Sequence, residues 1–337
     1  MAAYLTRRIL LGLLTIWVIS VLSFVIIQLP PGDSVDYYIK FYTLTTGGMS
    51  PEREESLRAY YKLDEPIHVR YVNWFGRLLQ GDPGRAMIQK VGGSSPMEKP
   101  VMHVIDYRIW TTIALMGATI LFTWTLSIPI GIYSAVRQHT VGDYTFTFLG
   151  FTGLAVPDFL LGLVLLYVAF AYFDQSVGGL FSNEYATGSW SWGRVWDLLK
   201  HLWIPAIVLG TSGTASLIRI MRNNLLDELS KPYVVTARAK GMSPMKLILK
   251  YPVRVAFNPL ISTVGYLLPY LIGGSVIVSM VLSLPTLGPT LLMAIRAQET
   301  NTGAFILFIL GALTVVGTLI SDILLALVDP RIKFDTL

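Results

Sequence analysis

The sequence predicts an all-α integral membrane protein with six transmembrane helices and an external loop domain after the first helix. Three observations carry this reading. Of 337 residues, 53% are apolar and only 14% are charged, whereas a soluble chain carries about a quarter charged residues. Apolar runs of about 20 residues, long enough to cross a bilayer as helices, recur along the chain. The basic excess is concentrated in one interior loop beside such runs, which is an orientation signal of membrane proteins rather than the footprint of a nucleic-acid partner.

The spans follow in order. Ile9–Leu29 and Ile109–Val136 are charge-free. Tyr144–Phe173 holds one charge, Asp158, and Trp203–Ile218 runs into an amphipathic tail ending at Arg222. Val255–Ile295 is charge-free for 41 residues, too long for one span. It divides near Leu284-Pro285 into a span and a shorter re-entrant or interfacial piece. Thr300–Val328 closes the set with one charge, Asp322. Arg7-Arg8 before the first run resemble the start of a secretory signal. The run exceeds a signal's apolar core, however, and Leu29-Pro30-Pro31-Gly32 is a poor cleavage site, so a retained span is expected.

Arg7-Arg8, Arg137, eight basic residues between Arg219 and Asn258, and Arg331 with Lys333 fall on one side of a six-span arrangement. Short loops on the other side hold only Arg194, Lys200 and Arg296. Both termini are therefore expected in the cytoplasm. The chain divides into residues 1–108, the first span with its external segment, and 109–337, a five-helix core with a cytoplasmic loop at 219–258.

The external segment mixes Pro/Gly clusters with a helical stretch, Pro51–Leu79. Ser50 suits its N-cap, Pro51 its first position, and Glu52, Glu54 and Glu55 its positive end. Tyr71, Trp74 and Phe75 read most simply as packing onto the outer face of the membrane, with substrate contact as the alternative.

The loop at 219–258 is the most informative stretch, with eight Lys/Arg against two acids. Pro232 suits the first position of a short helix, Tyr233–Lys240, with Arg238 and Lys240 at its carboxyl end, where cations are favoured. Gly241 then stands where a left-handed residue ends a helix. Ser243 can cap the next helix, with Pro244 at its first position. Small side chains at Thr236, Ala237 and Ala239 allow another backbone to approach. Forty residues with two capped helices exceed what topology alone requires, so docking of a cytoplasmic partner is expected.

This stretch resembles the cytoplasmic loop of ABC-importer permeases, whose signature is Glu-Ala-Ala, three residues, then Gly. Here it falls on Val235-Thr236-Ala237, then Arg238, Ala239, Lys240 and Gly241, with Val235 in place of the glutamate. The wording TARAKG, followed by a basic helix and NPLIS, is most similar to the dipeptide/oligopeptide subfamily. LPPGD, YVNWFGRLLQGDPGRAM, LAVPDFLLGL, SLPTLGPTLLMAI and DILLALVDPRIKF extend the resemblance over nearly the whole chain.

The resemblance implies a type I ABC importer permease fold in a bacterial or archaeal cytoplasmic membrane. It implies a second homologous permease, two cytoplasmic ATPase subunits and an extracytoplasmic solute-binding protein as partners. The docking element would be Tyr233, Val234, Val235, Thr236, Ala237, Arg238, Ala239, Lys240, Gly241, Met242 and Ser243. The expected cargo is di- or oligopeptides, with oligosaccharides and nickel chelates as alternatives within the same machinery. The chain has no GxxxxGK[S/T] phosphate loop. It is therefore expected to bind no cofactor and to hydrolyse no ATP, which with Mg belongs to the partner ATPases.

Charges inside spans are functional candidates by default. Asp158, after Pro157, either faces the pathway from a broken helix or makes a structural interhelical hydrogen bond. Gly265, Gly273, Gly274 and Pro269 either pack helices closely or break one beside the pathway. Gly288 lies in a Pro/Gly-rich piece, Leu284–Ile295, that resembles the family's external scoop. An ion-coupled secondary transporter is the rival from another class. It calls for an inverted repeat and several intramembrane carboxylates or histidines, which this sequence lacks.

Overall fold

The computed structural model describes residues 2–46, 48–88, 97–173, 175, 178–182, 184–185 and 191–328. The N-terminal elements are α1 (Ala2–Ile27), α2 (Ser34–Thr46), α3 (Pro51–Tyr61), α4 (Ile67–Leu79), β1 (Arg85–Ile88) and β2 (Met97–Pro100). There follow α5 (Val101–Val136), α6 (Val141–Ala155), α7 (Asp158–Phe173), α8 (Trp192–Leu229), α9 (Pro232–Ala239) and α10 (Pro244–Lys250). The chain continues through α11 (Pro252–Ala256), α12 (Asn258–Val281), α13 (Leu287–Arg296) and α14 (Thr300–Val328).

The described residues form two compact units, one from 6–111 and 286–315, the other from 2–5, 112–285 and 316–328. Residues 286–315 thus cluster with the N-terminal segment although they lie far from it in sequence.

In the N-terminal unit, Phe24, Trp74, Ala86, Val101, Ile105, Leu287 and Ile306 share one buried core. The expected single helix over Pro51–Leu79 is two. Lys62 takes a left-handed conformation (φ 52°) that closes α3, and Pro66 precedes α4. Ser50 holds the N-cap position in extended backbone without a side-chain cap bond. Arg58 ties α3 to α2 through Asp33 at 2.6 Å and through Asp36, and it also bonds Glu54 at 3.1 Å. These three carboxylates outweigh the lowering effect of burial and hold the Arg58 guanidinium above its ordinary pKa.

Tyr71 and Trp74 correct a second expectation. They pack on protein, not on the membrane's outer face. Trp74 is 1% exposed, its ring lies 5.4 Å from that of Phe24, and the Tyr71 hydroxyl is 2.8 Å from Ser20 Oγ. The two strands form an antiparallel ribbon, Arg85 opposite Pro100, that leads into α5. This is a small departure from an all-α fold.

In the other unit α8 is the central helix, packing against α6, α7, α11 and α12. It is longer than the expected span, running unbroken over 38 residues. Gly131 of α5 permits a close crossing with it, since a Cβ there would stand 2.7 Å from Met221 Cβ and 3.2 Å from the Ile218 carbonyl oxygen. At the Trp192 end of α8, Asp197 accepts hydrogen bonds from the Ser182 backbone N–H at 2.8 Å and its hydroxyl at 2.6 Å.

Among the described residues, four helices are long and apolar enough to cross a membrane, or five if α6 and α7 count as one bent span. The helix α12 has 24 residues, but the side chains at 265–274 lie outside the described residues. Six spans therefore remains an expectation.

Candidate functional site

The polar loop folds as the sequence pattern dictates. Lys231 precedes α9 in extended backbone, and Pro232 takes the first helical position, where its missing N–H costs no helical bond. The helix ends one residue earlier than expected, at Ala239, with Lys240 as C-cap. Gly241 follows at φ +76°, the left-handed conformation that closes helices. Its N–H donates to the Arg238 carbonyl at 3.0 Å. Ser243 sits at the N-cap of α10 with no side-chain bond, a correction to its expected capping role. Pro244 at the first position does the local work there instead.

Two faces emerge. Val234 (1% exposed), Ala237 and Leu247 form a small core between α9 and α10, flanked by Tyr233, Met242 and Ile248. Ala237 therefore serves internal packing. The outward face carries Val235 (60% exposed), Met245 (67%) and Leu249 (53%), together with exposed Thr236, Arg238, Ala239, Lys240, Gly241 and Ser243. These exposed apolar side chains, with exposed Arg238, Lys240, Lys246 and Lys250 on the same two helices and turn, have the composition of an interaction surface.

The hairpin is mounted on α8. The Tyr233 hydroxyl donates to Glu228 in the last turn of that helix. Behind it, Leu217, Met221 and Leu225 of α8 pack with Val253 and Ala256 of α11 and Leu260 of α12. Arg222 then binds Asp143 at the start of α6 in a two-pronged contact, Nε to Oδ1 at 3.1 Å and Nη2 to Oδ2 at 3.0 Å. Asp143 also accepts from the His139 backbone N–H at 3.1 Å. Its side chain is 3% exposed and that of Arg222 is 23%. Such forked, charge-assisted bonds fix geometry as well as energy. Sequence reasoning missed this clamp. A lone acid in the first turn of a helix reads as dipole compensation, and only the fold reveals its partner 79 positions away.

The pathway candidates are placed separately. At Val156-Pro157 the chain bends by 101° between α6 and α7. Val156 is extended (φ −82°, ψ 125°), as the residue before proline must be to avoid its ring, and Asp158 opens α7 half-buried. A break at this point agrees with the broken-helix reading. Gly273 and Gly274 lie within α12; their surroundings lie outside the described residues. Gly288 is buried near the start of α13. These residues occur on three different helices, and Gly288 belongs to the other compact unit.

Comparison with known proteins agrees with this architecture. Residues 127–334 match the family described as binding-protein-dependent transport system inner membrane component. The oligopeptide transport system permease protein AppB of Bacillus subtilis (strain 168) is 34% identical over 337 residues, spanning 99% of this chain and 100% of the relative. The dipeptide transport system permease protein DppB of Escherichia coli (strain K12) is 27% identical, with 99% of each chain covered. Among solved structures, a chain of the MetNI methionine ABC transporter in inward-facing conformations superposes with a TM-score of 0.53 at 17% identity. It covers 69% of this chain and 100% of its own, a likeness of fold.

Proposed function

This chain belongs to the binding-protein-dependent transport system inner membrane components, and on that premise we propose that it forms the transmembrane pathway of an ATP-driven importer of di- and oligopeptides. The peptide cargo is supported by full-length relatives whose names specify oligopeptide and dipeptide transport. In this reading the chain pairs with a second homologous permease and receives cargo from an extracytoplasmic solute-binding protein. Two cytoplasmic ATPase subunits bind ATP and Mg, and both termini lie on their side of the membrane.

The observation that carries the proposal is the division of the α9–α10 hairpin into a buried anchor and an exposed apolar face. The exposed face, from Val235 to Leu249, would enter a groove of an ATPase subunit. The anchor, tied to α8 through Tyr233 and Glu228, would transmit closure of the ATPases to the spans. Moving a two-state pathway from 1:99 to 99:1 takes about 5.5 kcal/mol of differential binding, within reach of two nucleotides clamped between the ATPases. Asp158, after the bend at Pro157, is the leading candidate to face the pathway.

Affinity purification of the tagged chain from its native membrane tests the assembly. A second permease and an ATPase subunit should co-purify, and Val235→Asp should release the ATPase while retaining the permease. An ATPase that stays bound to Val235→Asp at wild-type yield would remove the hairpin from the docking surface.

A further inference from the structure

The N-terminal unit contains a cavity of about 520 Å³, the size of small-molecule sites. Its basic and acidic walls are not equivalent. The three lining acids are locally engaged. Glu65 accepts from Asn73 Nδ2 at 3.2 Å and faces Lys62 at 3.6 Å, Asp82 accepts from the Gly84 backbone N–H at 2.9 Å, and Glu299 accepts from the Thr302 hydroxyl.

Arg70, Trp74 and Arg77 also line the cavity. Spaced at i, i+4 and i+7 on α4, they form one stripe of that helix. Neither guanidinium has a hydrogen bond or ion pair among the described residues. The Trp74 Nε1–H is fully buried and has no acceptor among them, although buried indole donors ordinarily find one. Burial lowers the Arg70 pKa while the fields of Asp33 and Glu65 raise it; the group remains a cation. Two cationic side chains, Arg70 part-buried and Arg77 exposed, thus line one concavity with aromatic walls at Phe24 and Tyr60, while the Trp74 Nε1–H is closed off from it.

We propose that this cavity is a carboxylate-binding site for a small organic acid of dipeptide size, with Arg70 and Arg77 holding the carboxylate and the aromatic walls covering the remainder of the solute. The site is built within the N-terminal unit and does not depend on the docking role of α9 and α10.

The test uses the full-length chain, purified with its partner subunits in lipid nanodiscs and without nucleotide or binding protein. Binding of glycyl-phenylalanine is compared with that of its C-terminal amide by equilibrium dialysis. The acid should bind and the amide should bind about tenfold to a hundredfold more weakly, the range for loss of a hydrogen bond to a charged group. Arg70→Gln should impose a loss of the same size on the acid and little on the amide. Equal binding of acid and amide to the wild-type protein overturns the proposal, even where a variant fails to fold. So does undiminished binding of the acid by a folded Arg70→Gln, or no binding of either probe. If short acids fail to bind while Arg70→Gln weakens attachment of a partner protein, the cavity receives an acidic side chain of that partner and the proposal is wrong.

Discussion

Gly241 offers the sharpest perturbation of the hairpin, because its two contributions can be separated. At φ +76° an L side chain is strained, at about 1–2 kcal/mol for the left-handed conformation. A Cβ there meets no atom within 4 Å, so the isolated chain adds no steric term. Replacing glycine by alanine also removes unfolded-state freedom worth about 0.4–1 kcal/mol, leaving a net loss of about 1 kcal/mol. That corresponds to roughly a fivefold drop in the population of the closed turn. Asparagine tolerates this conformation and should lose less.

The assay is uptake of a labelled dipeptide per ATP hydrolysed, in proteoliposomes holding the assembled transporter. Gly241→Ala should lower coupling several-fold and Gly241→Asn less. Gly241→Val places a β-branched residue in a conformation that such residues tolerate worse than alanine does, so its coupling should fall further than that of Gly241→Ala. Wild-type coupling in Gly241→Val would refute the docking geometry. Equal effects of Ala and Asn would refute the assigned backbone strain.

Other consequences follow from the same packing. Asp143→Asn removes the buried end of the clamp to Arg222 and should cost about 3 kcal/mol, the lower end for breaking a buried pair because Arg222 retains some contact with water. Thermal unfolding of the purified protein reads this, and a cycle with Arg222→Gln showing additive losses would deny the coupling. Trp74→Ala empties the core of the N-terminal unit and should cost about 3–5 kcal/mol, seen as early proteolysis of residues 6–111; unchanged protease resistance contradicts the burial. Gly131→Ala must push α5 away from Met221 Cβ and the Ile218 carbonyl, so its melting temperature should fall more than that of Gly117→Ala, where a Cβ meets nothing within 4 Å. Asp158→Asn should leave the melting temperature nearly unchanged and reduce peptide uptake, and intact uptake removes Asp158 from the pathway.

Local chemistry was legible in the sequence; the identity of distant partners was not. The left-handed Gly241, Pro232 and Pro244 at helix starts, and the break at Pro157 all follow from backbone restrictions that act within a few residues. Trp74 misled because an aromatic stripe looks alike whether it faces lipid or protein. Its partner, Phe24, lies 50 positions earlier in the sequence. The split between α3 and α4 was hidden because lysine has no intrinsic preference for the left-handed state adopted by Lys62. The full length of α8 was hidden because polar residues at both ends, among them Asp197 and Arg222, lowered its apparent hydropathy. Both are satisfied by specific bonds in the fold.

Those same bonds explain how a surface hairpin could act over the length of the protein. An unbroken helix of 38 residues spans about 57 Å, and α8 is restrained at both ends. Near Trp192, Asp197 holds Ser182; near Leu229, Arg222 grips Asp143 and Glu228 receives the Tyr233 hydroxyl. A hairpin attached only by flexible loops would absorb a partner's displacement in its own backbone. Here the buried side of α9 and its bond to the last turn of α8 leave less slack. In the proposed coupling the apolar side chains left outside would supply the grip and those turned inward the stiffness. That proposal calls for both, and Val234 and Val235, neighbours in sequence, have the opposite exposures it needs.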